Sequence, residues 1–169
     1  EHVVDFIDRT DPVVICLNTS LALPHDKVTA FAACHAFRFA TETDQYLNID
    51  TPLIAPAAAL PEQVAKALPP GRILDYGLTV KPNQFSAGDK GCVIPQRLVA
   101  AYMLALANAS GASRIYLAGF DGYAPTNPLQ KKMEHVFHCY HAMPDAIPLT
   151  AVTPTTYSVP QSSIFAPEE

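Results

Sequence analysis

Leu98 to Gly119 reads LVAAYMLALANASGASRIYLAG, and this stretch decides the fold class. Leu98, Ala101, Tyr102, Ala105 and Leu106 recur at helical spacing, so a helix is expected over 94–110. Gly111 follows as a C-terminal stop. Arg114 to Gly119 is then an apolar, β-branched run of the kind found in a strand buried on both faces. A helix feeding such a strand is half of a parallel α/β unit.

Downstream, Asn127 and Pro128 mark a helix start, and the helix continues over 129–142. Residues 148–153 form a last short strand before Pro154. Upstream, Val13 to Leu17 is a second buried-type strand, preceded by an amphipathic helix over 2–9. Residues 30–39 place Phe31, Ala33, His35, Phe37 and Phe39 at period two, which favours strand over helix. Leu53 to Ala55 is a short strand, 61–68 a helix opened by Pro61, and 72–80 a strand. Residues 81–91 read as a polar loop without structure of its own. The expected architecture is a single α/β domain over 1–169, three-layered and Rossmann-like, with a mostly parallel sheet.

Composition narrows the function classes. The chain has 169 residues, 49% hydrophobic and 16% charged, with 16 prolines and no tryptophan. That excludes long disorder, which needs low hydrophobicity and high charge. The uncharged run from Leu98 to Ser113 contains Asn108, Ser110 and Gly111, short of ~18 clean apolar residues, so no membrane span is expected. A net charge of −5 argues against nucleic acid as a partner. Cys16, Cys34, Cys92 and Cys139 show no C-x-x-C spacing and sit among apolar neighbours, as reduced thiols of a cytoplasmic protein do. Glu stands at position 1, which reads as a piece of a longer chain.

In open parallel sheets, ligands bind beyond the carboxyl ends of the strands. Three loops follow such ends: Asn18-Thr19-Ser20, Phe120-Asp121-Gly122-Tyr123 and Thr153-Pro154-Thr155-Thr156-Tyr157. Their small hydroxyl, amide and acid side chains can hydrogen-bond ribose, base edges or phosphate, and Gly119 and Gly122 would admit a ligand to the backbone. For any single residue the plain alternative is a cap or a turn. Arg38 is the best basic anchor for an anionic ligand, pairing with phosphate or with a carboxylate such as Asp44, and Arg97 is second. His35 reaches the same edge or is a satisfied core histidine. His135, His138 and His141 lie within ~120° on one helix face. With no second ligand cluster for a closed zinc shell, they read as a polar face or subunit contact, and no metal is assigned. A Ser or Cys hydrolase is discounted, since no G-x-S-x-G is present.

The run I-Y-L-x-G-x-D-x-Y, Ile115 to Tyr123, resembles the bacterial sialyltransferases that make surface glycans and the related motility-accessory-factor domains. In that family the tyrosine contacts the phosphate of a cytidine nucleotide donor. The resemblance implies catalytic roles for Tyr123, stabilising a departing phosphate, and Asp121, orienting the loop or the ribose. It implies nucleotide contacts at Asn18, and the loops add Thr19, Gly119, Gly122, Thr153 and Thr155. The longer pattern G-F-D-G-Y, E-x-x-F at Glu134 to Phe137 and T-P-T-x-Y from Thr153 is similar to the C-terminal domain of aldolase-like proteins from polysaccharide gene clusters. Their N-terminal barrel resembles hydroxymethylglutaryl-lyase.

The resemblance therefore implies a nucleotide or nucleotide-sugar partner, the rest of a parent lyase, and no cofactor in this domain. A divalent metal belongs, if anywhere, to the parent barrel. The first strand and the Gly-rich loop of the family are expected upstream of residue 1. The family's histidine-bearing lid has no counterpart here, which leaves His35 or His135 as candidate bases. The alternative is a non-catalytic accessory or homo-oligomerisation domain.

Overall fold

The computed structural model describes residues 2–19 and 23–165. The chain is a mixed α/β domain of Rossmann-like character, built mostly on parallel strands. Strands β1 (Ile15–Leu17), β2 (Ala30–Ala32), β3 (Leu53–Ala55) and β4 (Ile73–Asp75) form one parallel sheet in that order. A second sheet joins β5 (Gly77–Val80), β6 (Ser86–Gly88) and β7 (Gly91–Ile94) in the order β5-β7-β6. The pair β8 (Ile115–Leu117) and β9 (Leu149–Ala151) is parallel, with Ile115 opposite Leu149.

Alternation along the strands creates the layers. Ala30 and Ala32 of β2 face a core shared with Ile54, Leu117, Leu149 and Ala151. The helices α5 (Val99–Ala109) and α6 (Pro128–His141) cover that side. Phe31 and Ala33 turn the other way, into a second core with Phe39, Tyr46 and Val64. Those residues come from α2 (Ala36–Thr41), α3 (Thr43–Leu47) and α4 (Glu62–Ala67). Phe6 of α1 (His2–Thr10) packs edge-on against Tyr116, with Val152 and Ile164 beside it.

Local chemistry explains the best-defined elements. Asn127 caps α6, its Oδ1 accepting the Leu129 N–H at 2.9 Å, and Pro128 fills the first turn. α5 is apolar nearly all round, and Ala100 to Ala105 are buried. Gly111, at φ 70°, ends it in a conformation that favours glycine. Asn108 Oδ1 takes the Ile147 N–H at 3.0 Å and the Tyr140 hydroxyl at 3.3 Å, tying α5 to α6 and to the approach to β9.

Four expectations change. The strand over 30–39 is only β2, and the chain then coils into α2. Phe37 is 77% exposed, so the period-two face fails there, and Glu42 N–H to Arg38 C=O at 2.8 Å closes a helical turn instead. The strand over 72–80 divides at Tyr76, β4 and β5 belonging to different sheets. The helix over 94–110 starts at Val99, because Ile94 ends β7 and Leu98 is extended. The loop over 81–91 contains β6, which pairs antiparallel with β7 and draws its order from that ladder. The strand expected upstream of residue 1 lies outside the described residues.

Candidate functional site

The first cluster forms where β1 and β2 end. Asn18 leaves β1 at φ 59°, its N–H donating to Ala32 C=O at 2.7 Å. The turn leaves Asn18 Oδ1 buried without a hydrogen-bond partner among the described residues. Thr19 Oγ1 donates to Glu42 Oε2 at 2.9 Å, while Arg38 Nη1 donates to Glu42 Oε1 at 2.7 Å. Arg38 thus pairs with Glu42 rather than Asp44, since a four-residue spacing along the helix brings the two together. Arg97 reaches the same place from the loop before α5, its Nη1 donating to Cys34 C=O at 3.3 Å. Ser20 of the expected loop lies outside the described residues.

His35 stands at the residue before α2, its side chain making no cap hydrogen bond, and is half-buried, so it is an edge residue rather than a core one. Burial, then the charges of Arg97 and Arg38, lower its pKa below the ordinary 6.5, against a hydrogen bond to the Arg97 backbone. The imidazole is therefore neutral at pH 7. Tyr46, from α3, places nearby a buried hydroxyl without a partner among the described residues; burial and then Glu42 raise its pKa, offset by Arg38.

The pH behaviour follows from the sign of the His35 shift. A histidine with a lowered folded pKa contributes stability that is complete above 6.5 and is lost as pH falls toward the folded pKa. In an NMR titration the His35 ring is expected to titrate below 6.5. The stability of His35→Gln should lose part of the wild-type fall as pH drops below 6.5. A ring midpoint at or above 6.5 would refute this electrostatic account.

The second cluster forms where β8 and β9 end. Gly119, at φ 73°, donates its N–H to Thr153 Oγ1 at 2.9 Å. Asp121 C=O accepts both the N–H and the hydroxyl of Thr156, at 2.9 and 3.1 Å. Gly122 is required here, because a Cβ would lie 1.9 Å from Thr156 Oγ1 and φ is 100°. Thr155 Oγ1 accepts the Tyr157 N–H at 3.1 Å. The Asp121 carboxylate is exposed, and Tyr123 is 45% exposed. Tyr157 is buried, and burial, then Tyr123 and Glu134, push its hydroxyl up to about 12.

The structure groups Asn18, Thr19, Arg38 and Arg97 at one edge, and Gly119, Asp121, Gly122, Tyr123, Thr153 and Thr155 at the other. No hydrogen bond or ion pair joins the two groups among the described residues. Sequence reasoning missed Glu42 and Tyr46, and named Thr156 only as part of its loop. It also missed Gln130, whose Oε1 accepts the Tyr123 N–H at 2.9 Å and so fixes the Asp121–Tyr123 turn. Glu134, quoted above for its motif, holds the Ser158 N–H with both oxygens, at 3.2 and 3.3 Å.

Beside α6, Glu134, His135, Phe137, His138, His141 and Ser158 line an open groove of about 500 Å³. No group of three or more His, Cys, Asp or Glu residues placed to hold a metal ion occurs among the described residues. All four cysteines are free, and burial raises each thiol, Cys34 to about 11 and Cys92 to about 12. At neutral pH none is a ready nucleophile. No described helix is long and apolar enough to cross a membrane. No family model, curated protein or solved structure matches the chain.

Proposed function

We propose that this domain binds the phosphate and sugar of a nucleotide or nucleotide-sugar at the carboxyl ends of its parallel strands. The observation that carries the reading is the cluster at the ends of β1 and β2, where Thr19 and Arg38 meet on Glu42, Arg97 donates to Cys34 C=O, and Asn18 Oδ1 is buried without a partner among the described residues. Two guanidinium groups suit a phosphate. A buried acceptor suits a ligand that donates, as a ribose hydroxyl or a base amino group does. At the β8–β9 edge, Tyr123 offers a phenol to a departing phosphate, and Asp121 offers an exposed carboxylate to a ribose hydroxyl. Neutral His35 is the base this reading prefers, because burial and the charges of Arg97 and Arg38 disfavour its protonated form. The motifs at Gly119–Tyr123 and Thr153–Tyr157 supply the setting, a sialyltransferase-like domain of surface-polysaccharide synthesis beside an aldolase-like barrel.

Calorimetry with cytidine mono- and diphosphate at millimolar concentration tests the reading. Heat is expected with the wild type, and Arg38→Met or Arg97→Met should weaken binding about tenfold each, one charged hydrogen bond's worth. No heat with any of several nucleotides overturns it.

A second reading, an accessory or oligomerisation domain of a lyase, draws support from Val13, Phe37 and Phe165, which are 75, 77 and 64% exposed. Light scattering separates the two, since a clean monomer with a tight nucleotide site counts against the accessory role.

A further inference from the structure

The first cluster already holds an anion of its own. Glu42 Oε1 sits 2.7 Å from Arg38 Nη1, and Glu42 Oε2 sits 2.9 Å from Thr19 Oγ1. A carboxylate bridging a guanidinium and a hydroxyl presents the same edge as a phosphate: two charged oxygens, one on each donor. Thr19 and Arg38 are also the groups that the nucleotide reading assigns to the ligand. Glu42 thus stands where the ligand's phosphate would stand.

We infer that Glu42 is an internal occupant of the phosphate position and leaves it when ligand enters, so that this residue sets the affinity and charge preference of the site. The inference rests on the nucleotide reading above. Three features make the side chain displaceable. Glu42 lies at the junction of α2 and α3, and its backbone N–H stays bonded to Arg38 C=O, so the main chain need not move. Its side chain is 21% exposed and that of Arg38 46%, so a short swing brings the carboxylate into water. No charge is left buried by the exchange, because the ligand's phosphate takes over both donors.

The occupant also has a structural effect. With Glu42 in place, Thr19 at the end of β1 is tethered to α2 across 23 residues of sequence. The empty site therefore keeps its donors oriented, and the ligand meets a preformed pair rather than two free side chains. A neutral or cationic ligand has nothing to exchange for the carboxylate and is excluded.

The test compares wild type, Glu42→Gln and Glu42→Ala by calorimetry with cytidine monophosphate and, separately, with inorganic phosphate. Thermal melts confirm that each variant is folded. Glu42→Gln keeps the size of the side chain, removes its charge and leaves one acceptor oxygen, so it serves where the alanine variant is poorly folded. Both variants are expected to bind each ligand roughly tenfold more tightly, the yield of removing one charged competitor. If the wild type binds and the variants bind equally or more weakly, Glu42 is a ligand contact or a bystander, and the inference falls while the nucleotide reading stands. If neither wild type nor variants bind, the nucleotide reading itself falls.

Discussion

Replacing Phe39 with alanine is expected to destabilise the domain by about 3–5 kcal/mol, the usual cost of emptying a buried phenylalanine site. Phe39 is fully buried, with its ring 5.3 Å from that of Tyr46. It is the only residue of α2 buried in the core, and α2 has six residues, too few to hold together in water on their own. Arg38 is next to Phe39, and Glu42 follows at the end of the same helix. Loss of the ring should therefore weaken anion binding as well as stability. Urea denaturation followed by circular dichroism measures the first effect, and calorimetry on the still-folded fraction the second. A cost below about 1 kcal/mol would mean that α2 is held by something other than Phe39.

The second large effect is expected at Gly91. It lies opposite Gly77 in the β5–β7 ladder, where a Cβ would come 2.6 Å from the Gly77 carbonyl oxygen and 2.8 Å from its Cα. The three nearest atoms are all backbone, so relief cannot come from a side chain swinging aside. Gly91→Ala should cost about 3 kcal/mol, the upper end of overpacking penalties, by forcing β5 from β7. The same sheet supplies the control. At Gly88 the nearest atom to a Cβ is 3.6 Å away, an ordinary contact, so Gly88→Ala should leave the melting temperature within a few degrees of wild type. Equal effects at the two positions would refute the steric argument.

These two sites also show what the chain makes legible and what it hides. That β1 and β8 are strands could be read from their continuous apolar runs, but the burial on both faces that such runs suggest is only partial: Ile15, Cys16 and Leu17 are half-buried, Leu117 alone of β8 is buried, and Val13 is 75% exposed. α5 could be read from its apolar repeat and from Gly111. The region around Phe37 could not, since Phe31, Phe37 and Phe39 share a face at period two, whereas on a helix Phe37 and Phe39 lie about 200° apart. Only the tertiary structure exposes Phe37 while burying Phe39. β6 is Ser-Ala-Gly, residues with little preference for extended structure, and its order comes from a neighbouring strand rather than from its own sequence. The same division runs through the candidate site. Asn18, Thr19, Asp121 and Thr153 follow strand ends, so the rule that ligands gather there finds them. Glu42 and Tyr46 matter because α2 and α3 fold back toward the end of β1, and no local spacing announces that.

The raised thiols have a practical consequence. Alkylating reagents and peroxide attack the thiolate, and burial keeps all four native sulfurs protonated at neutral pH. A cysteine introduced at an exposed position such as Ser158 would then stand out kinetically against a quiet background. Fluorophores or spin labels could be attached there without first stripping the chain of its own sulfur, leaving the packing around Cys34 and Cys92 undisturbed.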